Sequence, residues 1–285
     1  MTNIFSQVRK TLSNLFDIFV SVVSKKITLR YGFRRLKSQL LFTGKRFIDG
    51  VNWDIYHKDY IEELRLIEKT NTTLIDGENI SFLDGRIIFK NLNTLPLLLG
   101  HKLLYETICN LPANKILEVG CGGGDHLYNL HQLKLDSILF GVDRSKEQLS
   151  LFEKRHKFFK SKVKTYVYDL TESNLELPKV DLIFTQAVLM HISEVNNRFF
   201  VAFNNLFTES NSFIVLMENW TQHNFLETVH KIIKDHKFWS SAKIYFTESE
   251  NDPSVKCMVI SKNDLGLPKL TTYEQMLSGE KLMIH

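Results

Sequence analysis

Ile116-Leu117-Glu118-Val119-Gly120-Cys121-Gly122-Gly123-Gly124-Asp125 is the stretch that decides the fold of this 285-residue chain. An apolar run enters a cluster of glycines, and an acid stands two residues before the first of them. Glycines at such a junction remove Cβ atoms, so the backbone can turn sharply and approach a ligand closely. Glu118 narrows the choice of ligand. A pyrophosphate brought to this loop would be repelled by the carboxylate, whereas a ligand end carrying positive charge would be attracted.

Three further runs extend the pattern downstream. Residues 137–142 are apolar and end at Asp143, nineteen residues after Gly124. That interval is near the one at which a strand-end acid meets a ribose in a Rossmann-type unit. A carboxylate there can accept from both ribose hydroxyls, each charge-assisted bond contributing roughly 1.5–3 kcal/mol. Residues 163–168 end at Asp169, and 180–184 continue into Thr185-Gln186-Ala187-Val188-Leu189-Met190-His191-Ile192. Polar residues thus close successive strands, at the edge where open α/β sheets hold their ligands. S-adenosylmethionine, with an ammonium, a sulfonium and a ribose, matches these groups.

The segments ILEVGCGGG at 116–124, GVDRS at 141–145, YDL at 168–170 and DLIFTQAVLMHI at 181–192 resemble the class I S-adenosylmethionine-dependent methyltransferases, over about residues 98–262. The resemblance implies an α/β, Rossmann-like fold with a seven-stranded, mostly parallel sheet whose last strand is antiparallel. It implies that Glu118, Gly120 and Gly122 surround the methionine moiety, with Cys121 at a variable position of the loop where its thiol needs no chemical role. Asp143 would bind the ribose hydroxyls and Arg144 would lie against the adenine. Asp169 would accept from the adenine amino group beside the Leu170 N–H, and Gln186 would sit near the methionine end.

The remaining segments fit around that unit. Val195, Phe199, Phe200, Phe203 and Leu206 predict a helix over 193–207 with Ser193 as N-cap. A buried strand is expected at 212–217, a helix at 225–236, and an antiparallel pair at 243–247 and 255–261 around Asp252-Pro253. Upstream, a helix at 54–69, a hairpin turning at Asp84-Gly85 between 80–83 and 86–89, and a helix at 97–110 are predicted. The chain therefore divides into an N-terminal helical extension (1–46), an accessory region (47–97), the methyltransferase-like domain (98–262) and a C-terminal tail (263–285). Accessory regions of this kind, the resemblance implies, cover the pocket mouth and select the acceptor.

Composition sets outer bounds. Cys109, Cys121 and Cys257 are odd in number and widely spaced, which offers neither a disulfide framework nor a zinc site and points to a reducing cytoplasm. No uninterrupted apolar stretch of about 18 residues occurs, so no transmembrane helix is expected. No small-residue cleavage site follows an apolar core, so no secretory signal is expected. Residues 1–46 hold ten basic groups and one acid, a balance of +9, and the remainder of the chain balances at −5. Ile4, Val8, Leu12, Leu15, Phe19 and Val22 form an apolar helical stripe within that basic segment. Such a segment can pack on its own protein or self-associate, lie peripherally on an anionic membrane, or meet nucleic acid, with packing or self-association the leading expectation.

Methyl transfer from a sulfonium asks chiefly that the acceptor be held in line, about 3–3.5 Å from the methyl group. A hydroxyl acceptor must also lose a proton, and His191, a few residues beyond the fourth strand, is the first candidate for a general base. Its alternative role is to anchor the loop. Glu218, Trp220, His223 and His101 are weaker candidates, and Asp125 and His126 read as first-turn surface of a helix. Glu218, His223 and Asp181 form no recognised metal-ligand spacing, so no metal is expected. No Asn/Asp-Pro-Pro-aromatic run and no Pro-Cys pair follows the fourth strand, which disfavours base methylation. The acidic balance of the catalytic half also disfavours nucleic acid. An oxygen acceptor on a small molecule or glycan remains. Two alternatives stand beside it: an NAD-type dinucleotide-dependent oxidoreductase, although Asp125 occupies its usual third-glycine position, and a non-catalytic cofactor-binding adaptor.

Overall fold

The apolar runs become strands of one sheet because helices cover both of its faces, which allows continuous hydrophobic stretches in place of alternation. The computed structural model describes residues 53–134, 136–172, 177–192 and 194–277. The basic stretch 1–46 and Ser193 lie outside the described residues. The strands are β3 (Lys115–Val119), β4 (Ile138–Asp143), β5 (Val163–Val167), β6 (Val180–Gln186), β7 (Ser210–Met217), β8 (Lys243–Glu248) and β9 (Lys256–Ser261), following the hairpin β1 (Ile80–Leu83) and β2 (Arg86–Phe89). Spatial order in the seven-stranded sheet is β5-β4-β3-β6-β7-β9-β8. β3 pairs in parallel with β4 and β6, β4 with β5, and β6 with β7. Only β9 runs the other way, antiparallel to both β7 and β8. The chain leaves β3 toward β4 and β5, then returns to place β6 on the other side. The crevice between the ends of β3 and β6 is therefore the switch point of the sheet, where such folds receive ligands.

Two cores flank the sheet. On one face, α2 (Leu99–Cys109) and α3 (Asp125–Leu133) pack Leu104, Ile108, Leu127 and Leu130 against Ile116, Leu182 and Phe184. On the other, α5 (Arg198–Glu209) and α6 (Phe225–Asp235) pack Phe203, Phe207, Phe225 and Ile232 against Leu117, Ile183 and Ile214. α4 (Lys146–Arg155) crosses between β4 and β5 and is N-capped by Ser145, whose hydroxyl accepts from the Gln148 N–H. The short α7 (Glu274–Leu277) ends the described chain. The hairpin joins the first core through Ile80 and Ile87. Its turn residues Asp84 and Gly85 both have positive φ, the geometry that matches the twist of a two-residue hairpin. Asn129, fully buried on α3, accepts from the Ile75 N–H at 2.7 Å and donates to the Thr73 carbonyl at 2.9 Å, fixing the segment that enters the hairpin. By spatial clustering the chain divides between Lys69 and Thr70, inside the 47–97 region. α1 (Trp53–Ile67) belongs to the first unit, and all other described elements belong to the second.

The starts of α2 and α5 differ from the sequence expectation for identifiable reasons. Leu97 is held in a parallel bridge with Thr72 and Leu98 is extended, so α2 cannot begin before Leu99. The helix expected from 193 begins only at Arg198. Residues Val195–Asn197 form a 3₁₀ turn in which Asn196 and Asn197 are left-handed, a conformation asparagine tolerates and an α-helix does not.

Gly124, in the loop after β3, is fixed by packing as well as by dihedral angle. Gly124 has φ +79°, and a Cβ there would stand 1.7 Å from Phe152 Cδ2. Gly266 is also left-handed, with nothing near its missing Cβ. Gly124→Ala should therefore lose about 2–4 kcal/mol of stability in urea unfolding, combining overpacking with left-handed strain. Gly266→Ala should lose only about 1 kcal/mol.

Candidate functional site

The parallel strands end on one edge, and the polar residues singled out from the sequence gather there. Glu118 is at the penultimate position of β3, opposite Gly141 of β4 and Phe184 of β6. It is only 1% exposed. Its Oε2 is buried with no hydrogen-bond partner among the described residues. Burial pushes its carboxyl well above the usual carboxylate range, and the nearby Asp143 and Asp125 charges push in the same direction. An unpartnered buried carboxylate costs stability unless a cation or donor meets it. A positively charged or donor-rich group would satisfy that oxygen.

The glycine loop is tied inward to β4. The Gly120 and Cys121 N–H groups both donate to the Val142 carbonyl, at 2.8 and 3.0 Å. The Gly122 N–H donates to Asp143 Oδ2 at 2.9 Å, and the Gly124 N–H donates to the Cys121 carbonyl at 2.8 Å. A pyrophosphate cradle needs such N–H groups turned toward the ligand; these four are engaged within the protein. The Cys121 side chain is buried, with Sγ 2.9 Å from where a Gly141 Cβ would stand, and burial raises its thiol well above the usual range. What Cys121 offers the edge is backbone.

Asp143 uses each carboxylate oxygen once, Oδ2 for Gly122 and Oδ1 for the Ser145 N–H at 2.8 Å. Burial raises its pKa, against the opposing effect of those two N–H bonds and of Arg144. Asp169 follows β5 and accepts at Oδ1 from the Thr171 N–H and hydroxyl, at 2.9 and 2.7 Å. Its Oδ2 faces two guanidinium groups, with Arg144 Nε at 3.8 Å and Arg198 Nη2 at 4.0 Å. Burial pulls Asp169 up, but the Thr171 bonds and the two arginines leave it below the usual carboxylate range. Arg198 was not among the residues picked from the sequence. A helix starting at 193 would place Arg198 just beyond its first turn; as the first helical residue it reaches the sheet edge instead.

The loop after β6 is organised by Glu218, which follows β7. Glu218 is 1% exposed and accepts from the Thr185 hydroxyl at 2.7 Å and the N–H groups of Val188 at 3.1 Å and Met190 at 3.2 Å. Burial raises its pKa, and those same bonds pull it back toward the charged form. Ala187, beside the half-buried Gln186, is left-handed at φ 53°, strain that a clamped loop can hold. His191 closes the 3₁₀ turn Leu189–His191, half-buried, with its N–H on the Val188 carbonyl.

The weaker candidates take packing positions. Asp125 pairs with Arg155 at 2.9 Å and with His156 Nε2 at 2.9 Å, tying the start of α3 to the end of α4. His126 Nδ1 meets the Tyr105 hydroxyl at 2.7 Å, and the His101 ring stands edge-on to His126. Trp220 is buried edge-to-face against Phe225. His223 stacks on Phe199 with ring centroids 4.1 Å apart, and its Nδ1 lies 3.0 Å from Glu194. Asp181 accepts from the Asn114 and Lys115 N–H groups, at the opposite end of the strands. No group of three or more metal-ligating side chains occurs among the described residues. No helix among them is long and apolar enough to cross a membrane.

A family model described as a methyltransferase domain matches residues 111–266. Among solved structures, the chain is similar to magnesium protoporphyrin IX methyltransferase from Synechocystis PCC 6803 with bound SAM, at 15% identity over 57% of this chain and 80% of that one, with a TM-score of 0.43. It is similar to the plantazolicin methyltransferase BpumL in complex with SAH, at 14% identity over 58% of this chain and 82% of that one, TM-score 0.42. The methyltransferase domain of bacterial CtHen1 is 19% identical over 57% of this chain and 100% of its own, TM-score 0.46. No curated protein sequence matches the chain.

The unpartnered carboxylate gives a prediction for the ligand-free chain. Because burial raises the Glu118 pKa in the folded state, the fold binds its proton more tightly than the unfolded chain does. Stability should therefore fall as pH rises above the ordinary carboxylate range. Glu118→Gln removes that loss. Its melting temperature should match that of the parent in acid and exceed it at neutral pH, by an amount equivalent to about 1–3 kcal/mol.

Proposed function

Because the chain belongs to the methyltransferase domain family, we propose that it transfers a methyl group from S-adenosylmethionine to an oxygen atom of a small molecule or glycan. The observation that carries this reading is Glu118 Oε2, a buried carboxylate oxygen with no hydrogen-bond partner among the described residues. An ammonium with three N–H donors supplies what that oxygen lacks. A dinucleotide would bring negative charge to the same place, against Glu118 and past N–H groups already bonded to Val142 and Asp143.

In this reading Glu118 holds the methionine ammonium, while Gly120, Cys121 and Gly122 line that end with backbone. Asp143 keeps a second acceptor position on each oxygen, one for each ribose hydroxyl. Arg144, nearly half exposed, lies along the adenine. Asp169 offers Oδ2 to the adenine amino group, with the Leu170 N–H alongside, and Gln186 sits at the methionine end. When bound, S-adenosylmethionine supplies a methyl group already activated by its sulfonium. His191 takes the proton from the acceptor hydroxyl, and the Glu218 clamp fixes the turn that carries it. An oxygen acceptor follows from what the loop after β6 lacks, since no Asn/Asp-Pro-Pro-aromatic run or Pro-Cys pair is there to serve a base. The free cysteines, two of them buried, accord with a reducing cytoplasm. Residues 1–46 are assigned to self-association or peripheral membrane contact.

Calorimetric titration with S-adenosylhomocysteine and with NAD tests the cofactor. The first should bind and the second should not; the reverse result removes the reading. Glu118→Gln and Asp143→Asn should each weaken S-adenosylhomocysteine binding by about 1.5–3 kcal/mol, roughly tenfold to 150-fold.

Once labelled methyl transfer onto fractionated cell extract has identified an acceptor, His191 can be tested directly. His191→Ala should lower kcat at saturating donor by about 100-fold or more, with donor affinity unchanged. An unaltered kcat returns His191 to a structural role.

A further inference from the structure

The turn joining α4 to β5 carries a feature that methyl transfer does not explain. In the run Glu153-Lys154-Arg155-His156-Lys157-Phe158-Phe159-Lys160-Ser161-Lys162-Val163-Lys164, Glu153 is the only acid. Lys154, Lys157, Lys160, Lys162 and Lys164 are all exposed. Arg155 is neutralised by Asp125, and Glu153 stands 3.7 Å from Lys160 in an open surface pair that holds little energy. Among these lysines Phe158 projects with 96% of its surface in solvent.

That exposure is set by the fold. His156 is anchored by Asp125 and stacked on Tyr128, and Phe159 is buried edge-to-face against Tyr128 and Phe152. Backbone bonds from Phe159 and Lys160 to the His156 carbonyl, and from Lys162 to the Phe159 carbonyl, close the turn between them. Phe158 is the residue left at its apex, between two inward anchors. β5 is one of the two edge strands of the sheet, and lysines on an edge also discourage strand addition. That explanation leaves Phe158 out, because it adds apolar surface where guarding calls for charge.

We infer that the turn 156–162 and the start of β5 dock the protein on an anionic lipid surface, with Phe158 entering the acyl boundary and the lysines resting on the headgroups. The chemistry favours lipid over nucleic acid. All the free cations are lysines, which act as point charges on headgroups, and the fork geometry that reads phosphates and bases is missing since Arg155 is already paired. A phenylalanine ring, with no polar edge, suits the acyl boundary. The inference does not depend on which acceptor is methylated.

The test uses the full chain and sedimentation with vesicles, either pure phosphatidylcholine or phosphatidylcholine mixed with phosphatidylglycerol. The parent should bind only the anionic vesicles, and binding should weaken as salt is raised. Phe158→Ser should lower the partition coefficient about tenfold. The double variant Lys157→Gln, Lys160→Gln should lower it by roughly fivefold for each charge removed. Both should melt as the parent does, since the altered side chains are exposed. Three results would overturn the inference: no binding of the parent to anionic vesicles, variants that bind as well as the parent (which assigns binding to residues 1–46), or variants that lose a single-stranded RNA oligonucleotide while keeping vesicles.

Discussion

The candidate site rests on a close approach between two loops that only a glycine permits. A Cβ on Gly120 would stand 2.3 Å from Val188 Cγ2, so the loop after β3 and the loop after β6 can touch only because Gly120 lacks one. Each side of that contact is held from behind. The Gly120 and Cys121 N–H groups are bonded to the end of β4, and the Val188 N–H is bonded to Glu218 at the end of β7. Four strands are thereby joined at the switch point through one glycine, one valine and one buried carboxylate. The shape of the crevice is set before any ligand arrives, which is the preorganisation that binding and catalysis both exploit.

Two buried glutamates on this edge show opposite uses of the same side chain. Glu218 is surrounded by donors, and its bonds hold a loop in place. Glu118, equally buried, has an oxygen without a partner. Burial alone raises the pKa of each, so burial does not distinguish them. Satisfaction does. A carboxylate whose bonds are complete is part of the scaffold, and one left incomplete calls for a separate explanation, which the proposed ammonium contact would supply.

Much of this was legible in the sequence. The apolar runs ending in Glu118-Val119, Asp143, Asp169 and Gln186 mark the strands and their order along the chain, because strands covered on both faces read as continuous hydrophobic stretches. The Asp84-Gly85 turn was equally plain. Contacts between segments distant in sequence were hidden. Nothing local ties Glu218 to Val188, or Asn129 to Ile75, since those bonds exist only after the sheet has assembled. Arg198 was hidden for a different reason. The helical period over 195–206 is genuine, but two adjacent left-handed asparagines delay the helix and turn its first residue toward Asp169. Periodicity reports which residues share a face and says little about where a helix begins.

Cys121 shows how position in a motif can mislead about reactivity. It lies between two glycines of the loop, yet its sulfur is wedged beside Gly141 and Leu127 and its thiol is held far from ionisation. Thiolate, not thiol, reacts with electrophiles and peroxides. Burial pushes Cys109 up to about 12 and raises Cys257 as well. Cys121 and Cys257 are therefore shielded both by burial and by raised pKa, whereas Cys109 is only partly buried. A cysteine introduced on the outer surface would then compete for label with Cys109 alone among the native three.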